Sequence, residues 1–111
     1  MTNAELLAEV VEKVKKYDPK PDEELLDALV TRYAIVFRNA DAKFVSCSDK
    51  NELERVKKSF LLDRLKVDMD DEEMDRVLAE VCEQMKGDRR KHRGVFYYLL
   101  TKKLGKREAF V

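Results

Sequence analysis

Five basic side chains crowd one short stretch of the sequence, directly before an apolar run. They are Arg89, Arg90, Lys91, Arg93 and, when it is protonated, His92. If this stretch is the first turn of a helix, its free backbone amides and guanidinium groups form the donor set that a phosphate or carboxylate requires. The stretch therefore predicts an anion-binding site made by Arg89, Arg90, Lys91 and Arg93.

The same cluster also has a purely structural interpretation. Positive side chains are unfavourable at a helix N-terminus, which carries a partial positive charge. In this interpretation Asp88 caps the helix and the arginines pair with the acidic residues at positions 68–73. The sequence leaves the two interpretations open, and they differ in whether the guanidinium groups face protein carboxylates or solvent.

The other residues with chemical potential give weaker patterns. His92, Cys47 and Cys82 are scattered and lack the close spacing of a zinc site or a redox pair. We expect reduced thiols, with Cys82 in the core and Cys47 exposed in a loop. A calcium loop that begins at Asp68 needs glycine at its sixth position, where this chain has Glu73. The sequence therefore predicts helix capping by these acids, no metal, no cofactor and no enzymatic activity.

Two tyrosines and a glycine belong to the apolar run or lie beside it. Tyr97 and Tyr98 cannot both share the face of Phe96, so at least one hydroxyl needs a partner or the surface. An aromatic platform for nucleic-acid bases is the alternative use of these rings. Gly94 costs about 1 kcal/mol relative to alanine inside a helix, and close helix packing or fraying of the basic turn would each explain it.

Composition predicts one globular domain over residues 1–111. Apolar residues make up 44% of the chain, which argues against disorder despite 41% charged residues. Basic and acidic residues number 23 each, but residues 86–111 hold nine basic and two acidic residues, whereas residues 46–85 hold seven and twelve. We expect the basic end to fold against the acidic middle. The absence of a basic-then-apolar leader pattern and of long apolar runs predicts a cytoplasmic protein without membrane contact.

Apolar residues recur every three or four positions, which predicts an all-α bundle of about five helices. The first helix begins at Thr2, the second opens at Pro21, and the two form an antiparallel hairpin. Ser48 or Asp49 is expected to cap helix three, helix four begins at Asp70, and Gly87 is expected to end the fourth in a left-handed conformation. The fifth contains Val95–Leu100, which is apolar on every face and therefore predicted to be the buried centre.

One loop, residues 39–48, separates helices two and three. It is rich in side chains that bond to nearby backbone, and we expect Phe44 and Val45 to turn inward. Asp41 and Asp49 are open to a small role in binding, because long loops often carry function.

Several of these segments resemble a signature of short bacterial proteins. In the loop and helix three the resemblance rests on Asn39-Ala40-Asp41-Ala42, Val45-Ser46, Ser48-Asp49-Lys50, Glu52-Leu53, Val56-Lys57 and Phe60-Leu61. In the C-terminal part it rests on Arg90-Lys91, Arg93, Val95 to Leu100, Lys102 and Gly105-Lys106. The family is domain-of-unknown-function family 2853. The resemblance implies an all-helical bacterial protein and no particular activity. His92 and Gly94 stand where the family pattern has an aromatic residue and an alanine.

Two functions remain at this stage. The first is a non-enzymatic cytosolic binding or self-association module, favoured because the chain has no nucleophile–base pair, metal set or phosphate loop. The second is an anion or nucleic-acid binder that uses the basic residues before the last helix. Neutral net charge disfavours the second function and charge segregation favours it.

Overall fold

The computed structural model describes residues 1–111 and has five α-helices, as predicted. Helix α1 (Asn3–Val14) begins with the expected capping box, in which Thr2 and Glu5 bond to each other's backbone amides. Helix α2 (Glu23–Arg38) is capped by the Asp22 side chain, so it begins after the predicted Pro21. The short connection makes α1 and α2 the predicted antiparallel hairpin. None of the helices is long and apolar enough to span a membrane.

Helix α5 (Arg93–Lys103) is the centre of the molecule and packs against α1, α2 and α4. All six residues of Val95–Leu100 are buried, which confirms the central prediction. Each fully buried Leu or Phe side chain contributes roughly 1.5–3 kcal/mol by removal from water. The Tyr98 hydroxyl donates to Asp18 at 2.5 Å and accepts from the Asp22 amide at 2.9 Å.

The predicted loop contains a short strand that the sequence did not reveal. Strand β1 (Phe44–Val45) pairs antiparallel with β2 (Lys91–His92), with Phe44 opposite His92. Val45 is buried and Phe44 half-buried, as expected. Two-residue strands carry too little periodicity to be recognised in a sequence. The pairing matters because it fixes the residues that precede α5.

Helix α3 (Lys50–Val56) is capped by Asp49 and continues directly into a π-helix, Lys57–Leu62. Helix α4 (Asp71–Gln84) is capped by Asp70, as predicted. Gly87 does not take the expected left-handed conformation, whereas Gly105, just after α5, does with φ 62°. A 3-10 helix, Arg107–Ala109, ends the chain.

Candidate anion-binding site

The four basic residues predicted as an anion site are divided by the fold. Helix α5 begins only at Arg93, because the His92 side chain caps it by accepting from the Gly94 amide. Arg89 and Arg90 therefore lie in the turn before β2 and not in the first turn of a helix. The Lys91 ammonium donates to the Asp88 carbonyl at 2.9 Å. Of the four basic side chains, only those of Arg89 and Arg90 form no hydrogen bond within the protein.

Arg93 is committed to internal contacts. Its Nε donates to the Ala42 carbonyl at 2.7 Å, and its Nη2 donates to the Phe44 carbonyl at 3.1 Å and to the Glu52 carboxylate. Its own amide donates to the Lys43 carbonyl at 2.6 Å. Because this guanidinium is already satisfied, Arg93 anchors the 39–49 loop and is not available to an external anion.

The predicted pairing of the arginines with residues 68–73 is wrong. Lys57 takes that role instead: its side chain is only 3% exposed and its ammonium lies 3.5 Å from Asp71 and 2.7 Å from Asp75. Asp88 does not cap α5 either. Its two carboxylate oxygens accept from Lys16 at 2.6 Å and from Tyr17 at 2.5 Å, which ties the turn before β2 to the turn after α1.

Arg89 and Arg90 face α1 across a concave surface of about 330 Å³, which we call the basic cleft. Lys13, in the last turn of α1, and Lys16, in the turn just after that helix, lie on the opposite wall of the cleft. The remaining lining residues are Glu12, Gly87, Asp88, His92 and Val95. Four cations and two carboxylates give the cleft a net charge of about +2 at neutral pH.

Most of the positive charge in the basic cleft is unpaired within the protein. Lys16 is neutralised by Asp88, and Glu12 is bonded to Lys15 outside the cleft. Lys13 and Arg89 form no ion pair, and the Arg90 guanidinium only overlies the Phe44 ring, 5.6 Å from its centroid. Burial opposes the ionisation of Asp88, but the hydrogen bonds from Lys16 and Tyr17 outweigh it and lower the pKa of that carboxyl.

His92 supplies a buried donor beside these cations. The side chain is 2% exposed, and its Nδ1 accepts from the Gly94 amide at 2.9 Å. In the neutral ring the proton therefore lies on Nε2, an assignment that follows from this hydrogen bond. Nε2 has no hydrogen-bond partner, and the nearest carboxylate oxygen, on Glu9, lies 3.9 Å away. Burial, reinforced by the charges of Lys13, Lys43 and Arg93, lowers the pKa of His92 to about 4.

Gly94 allows this arrangement to be compact. A Cβ atom built on Gly94 would lie 3.1 Å from the His92 Nδ1 and 3.2 Å from a Val10 methyl carbon. Of the two explanations that the sequence left open, the structure shows close packing, here between the start of α5 and α1. The absence of a side chain lets the His92 ring fold back over the first turn of α5.

The two cysteines correct another prediction. Cys47 and Cys82 form a disulfide bond, with their Cα atoms 5.9 Å apart. The prediction of an exposed Cys47 thiol and an unbonded core Cys82 is therefore wrong. Because both sulfur atoms are in the bond, neither residue supplies a free thiol that could act with His92. Sequence spacing carries no information about this contact, because residues 47 and 82 meet only through the packing of α4 on the loop.

A family comparison covers most of the chain. The family described as "Protein of unknown function (DUF2853)" matches residues 9–108. The chain belongs to the DUF2853 family. This confirms the resemblance read from the loop and α5 segments, and the matched range includes every lining residue of the basic cleft. A search of curated proteins finds no match.

The sequence indicated two of the four cations that line the basic cleft of this DUF2853 protein. It singled out Arg89 and Arg90, but it missed Lys13, Lys16 and the donor role of His92. The three-residue spacing of Lys13 and Lys16, in and just after α1, was a usable signal for cations on a shared face. What the sequence lacked was the docking of that face against the turn before β2.

Proposed function

We propose that this DUF2853 protein is a non-enzymatic binding module whose ligand is a small phosphate-like anion held in the basic cleft. The observation that carries the proposal is the buried Nε2–H of His92, which has no protein acceptor. Leaving a buried donor unsatisfied costs about 1–3 kcal/mol. An anion oxygen at that position would recover this cost.

The surrounding charges support an anion over a neutral acceptor. Lys13, Arg89 and Arg90 line the same cleft and have no carboxylate partner, so they are free to neutralise a bound anion. A guanidinium group donates two parallel hydrogen bonds to a phosphate, a stronger arrangement than neutral hydrogen bonds. His92 is uncharged at neutral pH because burial lowers its pKa to about 4, so it acts as a hydrogen-bond donor and not as a cation.

The size of the cleft supports a small ligand. A volume of about 330 Å³ is near the lower end of ligand sites, which run from roughly 300 to 1,000 Å³. A phosphate monoester fits this range. A nucleic-acid strand needs an extended basic surface, and a chain with 23 basic and 23 acidic residues supplies little long-range attraction for one.

The single histidine of the chain makes a direct test practical. Sulfate is the probe, because its charge does not change between pH 5 and 8. We expect sulfate to shift the imidazole nitrogen resonances of His92 in a saturable titration and to raise its pKa. The double variant Arg89→Gln/Arg90→Gln should weaken sulfate binding by about tenfold or more, the effect of losing about 1.4 kcal/mol.

A matched control removes the same charge elsewhere. Lys58 and Arg76 are exposed, lie outside the cleft and form no ion pair, so Lys58→Gln/Arg76→Gln should change the affinity less than about twofold. If sulfate leaves the His92 resonances unmoved, or if both double variants weaken binding equally, the proposal is wrong. If the wild type binds immobilised single-stranded nucleic acid as tightly as it binds sulfate, an extended ligand is favoured instead.

A bacterial origin, a cytoplasmic location and a single independently folding domain complete the proposal. The bacterial origin rests on the family resemblance, and the location on the absence of long apolar segments in the sequence. The Cys47–Cys82 bond weighs against the location, because cytosolic thiols are normally kept reduced. Counting alkylated thiols in the protein from lysed cells tests it, and light scattering tests self-association.

A further inference from the structure

The largest concave surface of the molecule is lined by Arg93 and Tyr97 and plays no part in the proposed anion site. It measures about 700 Å³ and lies between the end of α2, residues 39–49, α3 and the first turn of α5. We call it the loop cleft. Its volume is that of a small-molecule site, and its lining combines apolar walls from Val36, Phe44 and Val56 with polar side chains.

Tyr97 forms the buried end of the loop cleft, and two irregular helical segments hold its ring. Phe60, in the π-helix, stacks on Tyr97 with ring centroids 3.9 Å apart and an interplanar angle of 10°. Tyr33, at a non-helical position inside α2, contacts the same ring edge-on at 5.1 Å. Single-turn π-helices occur frequently at functional sites. Here both departures from regular helix converge on one aromatic side chain.

The Tyr97 hydroxyl has an unused hydrogen. It accepts a long hydrogen bond from the Arg93 Nη1 at 3.4 Å, and its own O–H donates to no protein group. Tyr97 is 5% exposed, and burial raises the pKa of its hydroxyl, so the O–H is intact at neutral pH. The neighbouring Tyr98 hydroxyl, in contrast, both donates and accepts within the protein. Tyr97 is therefore a buried donor that a ligand oxygen can satisfy.

The charges in the loop cleft are of both signs and are only partly paired. Glu52 lies between Arg93 and Arg55, and its second oxygen accepts from the Arg55 Nη2 at 3.0 Å. The Arg55 side chain is 66% exposed, so the rest of its guanidinium group is free. Asp41 has no ion-pair partner, and Asp49 uses one carboxylate oxygen to cap α3. The free groups are thus one guanidinium and the carboxylates of the loop.

We propose that the loop cleft binds a zwitterionic small molecule of amino-acid size. Its carboxylate accepts from the Tyr97 hydroxyl and from Arg55, and its ammonium group faces Asp41. The apolar walls formed by Phe44 and Val36 contact the rest of the molecule. This site shares no lining residue with the basic cleft, so either site can exist without the other.

The probes are the free protein amino acids, each titrated singly at millimolar concentration against the isotope-labelled full chain. We expect at least one of them to shift the amide resonances of residues 39–49 and of Tyr97 in a saturable manner. N-acetylation of that amino acid and amidation of its carboxyl group should each weaken binding about tenfold, because each removes one charge–charge contact.

Matched tyrosine variants separate a binding role from a structural one. Tyr97→Phe keeps the stacked ring and removes only the hydroxyl. It should weaken the binding of the same amino acid by about fivefold to tenfold. Tyr98→Phe, at a hydroxyl bonded to Asp18, should leave the affinity unchanged. The proposal fails if no amino acid shifts these resonances, if a simple amine binds as well as the amino acid, or if Tyr97→Phe binds normally. The Arg89→Gln variant, which leaves the Arg90 guanidinium over Phe44, should bind the amino acid unchanged, so failure here and failure of the anion proposal are distinguishable.

Discussion

The basic cleft is lined by His92 and the loop cleft by its neighbour Arg93, and the arginines of the 89–93 cluster differ between the two in whether they already have a protein partner. In the basic cleft, Lys13, Arg89 and Arg90 line the same surface as His92, whose Nε2 has no hydrogen-bond partner, and they have no protein carboxylate. In the loop cleft, Arg93 is bound to Glu52 and to two carbonyl groups. A count of basic residues cannot distinguish these situations. The availability of a cation to a ligand depends on whether the fold has already given it a partner.

The largest expected effect tests this difference directly. Arg93→Gln should destabilise the protein by about 3–5 kcal/mol, because it leaves Glu52 as a buried carboxylate that keeps only its contact with Arg55. Arg90→Gln, in the basic cleft, should change the stability by less than about 0.5 kcal/mol. Urea unfolding monitored by circular dichroism measures both. Equal losses in the two variants would contradict the proposed division of the cluster into anchor and ligand-binding residues.

The disulfide bond, which fastens the segment 39–49 to α4, should stabilise the protein by a somewhat smaller amount. Cys47 and Cys82 close a long loop with a sequence separation of 35, for which chain entropy predicts about 3–4 kcal/mol of stabilisation. Reduction with dithiothreitol should lower the free energy of unfolding by about this amount. The double variant Cys47→Ser/Cys82→Ser should show the lower stability at once and no further response to the reductant. A wild type indifferent to reduction would show that the bond does not form in solution.

The third prediction concerns pH and the basic cleft. An unfolded histidine has a pKa near 6.5, whereas burial lowers the pKa of His92 in the folded protein to about 4. The unfolded state therefore binds a proton first, and stability that is complete above pH 6.5 is lost as the pH falls towards 4, by on the order of 3 kcal/mol. His92→Asn keeps an oxygen that can accept from the Gly94 amide and should lack this part of the acid loss.

The difference between wild type and His92→Asn isolates the histidine from the carboxylates that also titrate in acid. Sulfate should reduce the acid loss in the wild type, because an anion in the basic cleft favours the protonated ring. If the two proteins lose stability in parallel between pH 6.5 and 4, the lowered pKa of His92 is wrong.

The elements of the fold were predictable because each has a local cause. Thr2, Asp49 and Asp70 cap their helices as the sequence indicated, and the apolar hexapeptide Val95–Leu100 is buried because no face of such a helix can remain in water. The predicted start of α5 is too early, because the helix begins only at Arg93. A two-residue strand pair and a histidine cap decide it, and neither gives a periodic signal.

The candidate sites were less predictable because they depend on contacts between distant segments. Arg93 and Glu52 are 41 residues apart, and no local pattern links them. Lys57 pairs with the acidic residues that the arginines were expected to neutralise. It lies at the first position of the π-helix, an element that was not predicted from the sequence. The His92 Nε2–H and the Tyr97 O–H lack acceptors because of how distant segments pack around them, and a sequence does not give those positions.

Three attachments hold the 39–49 segment to the rest of the molecule. Strand pairing with β2, the bonds from Arg93 and the Cys47–Cys82 bridge fasten it at three separate places. A surface loop of this length ordinarily opens with little free energy. Here opening requires all three attachments to be lost together, so amide hydrogen exchange at Arg93, whose N–H is bonded to the Lys43 carbonyl, should be as slow as in the middle of α5. In dynamic terms the loop belongs to the most cooperative unit of the molecule.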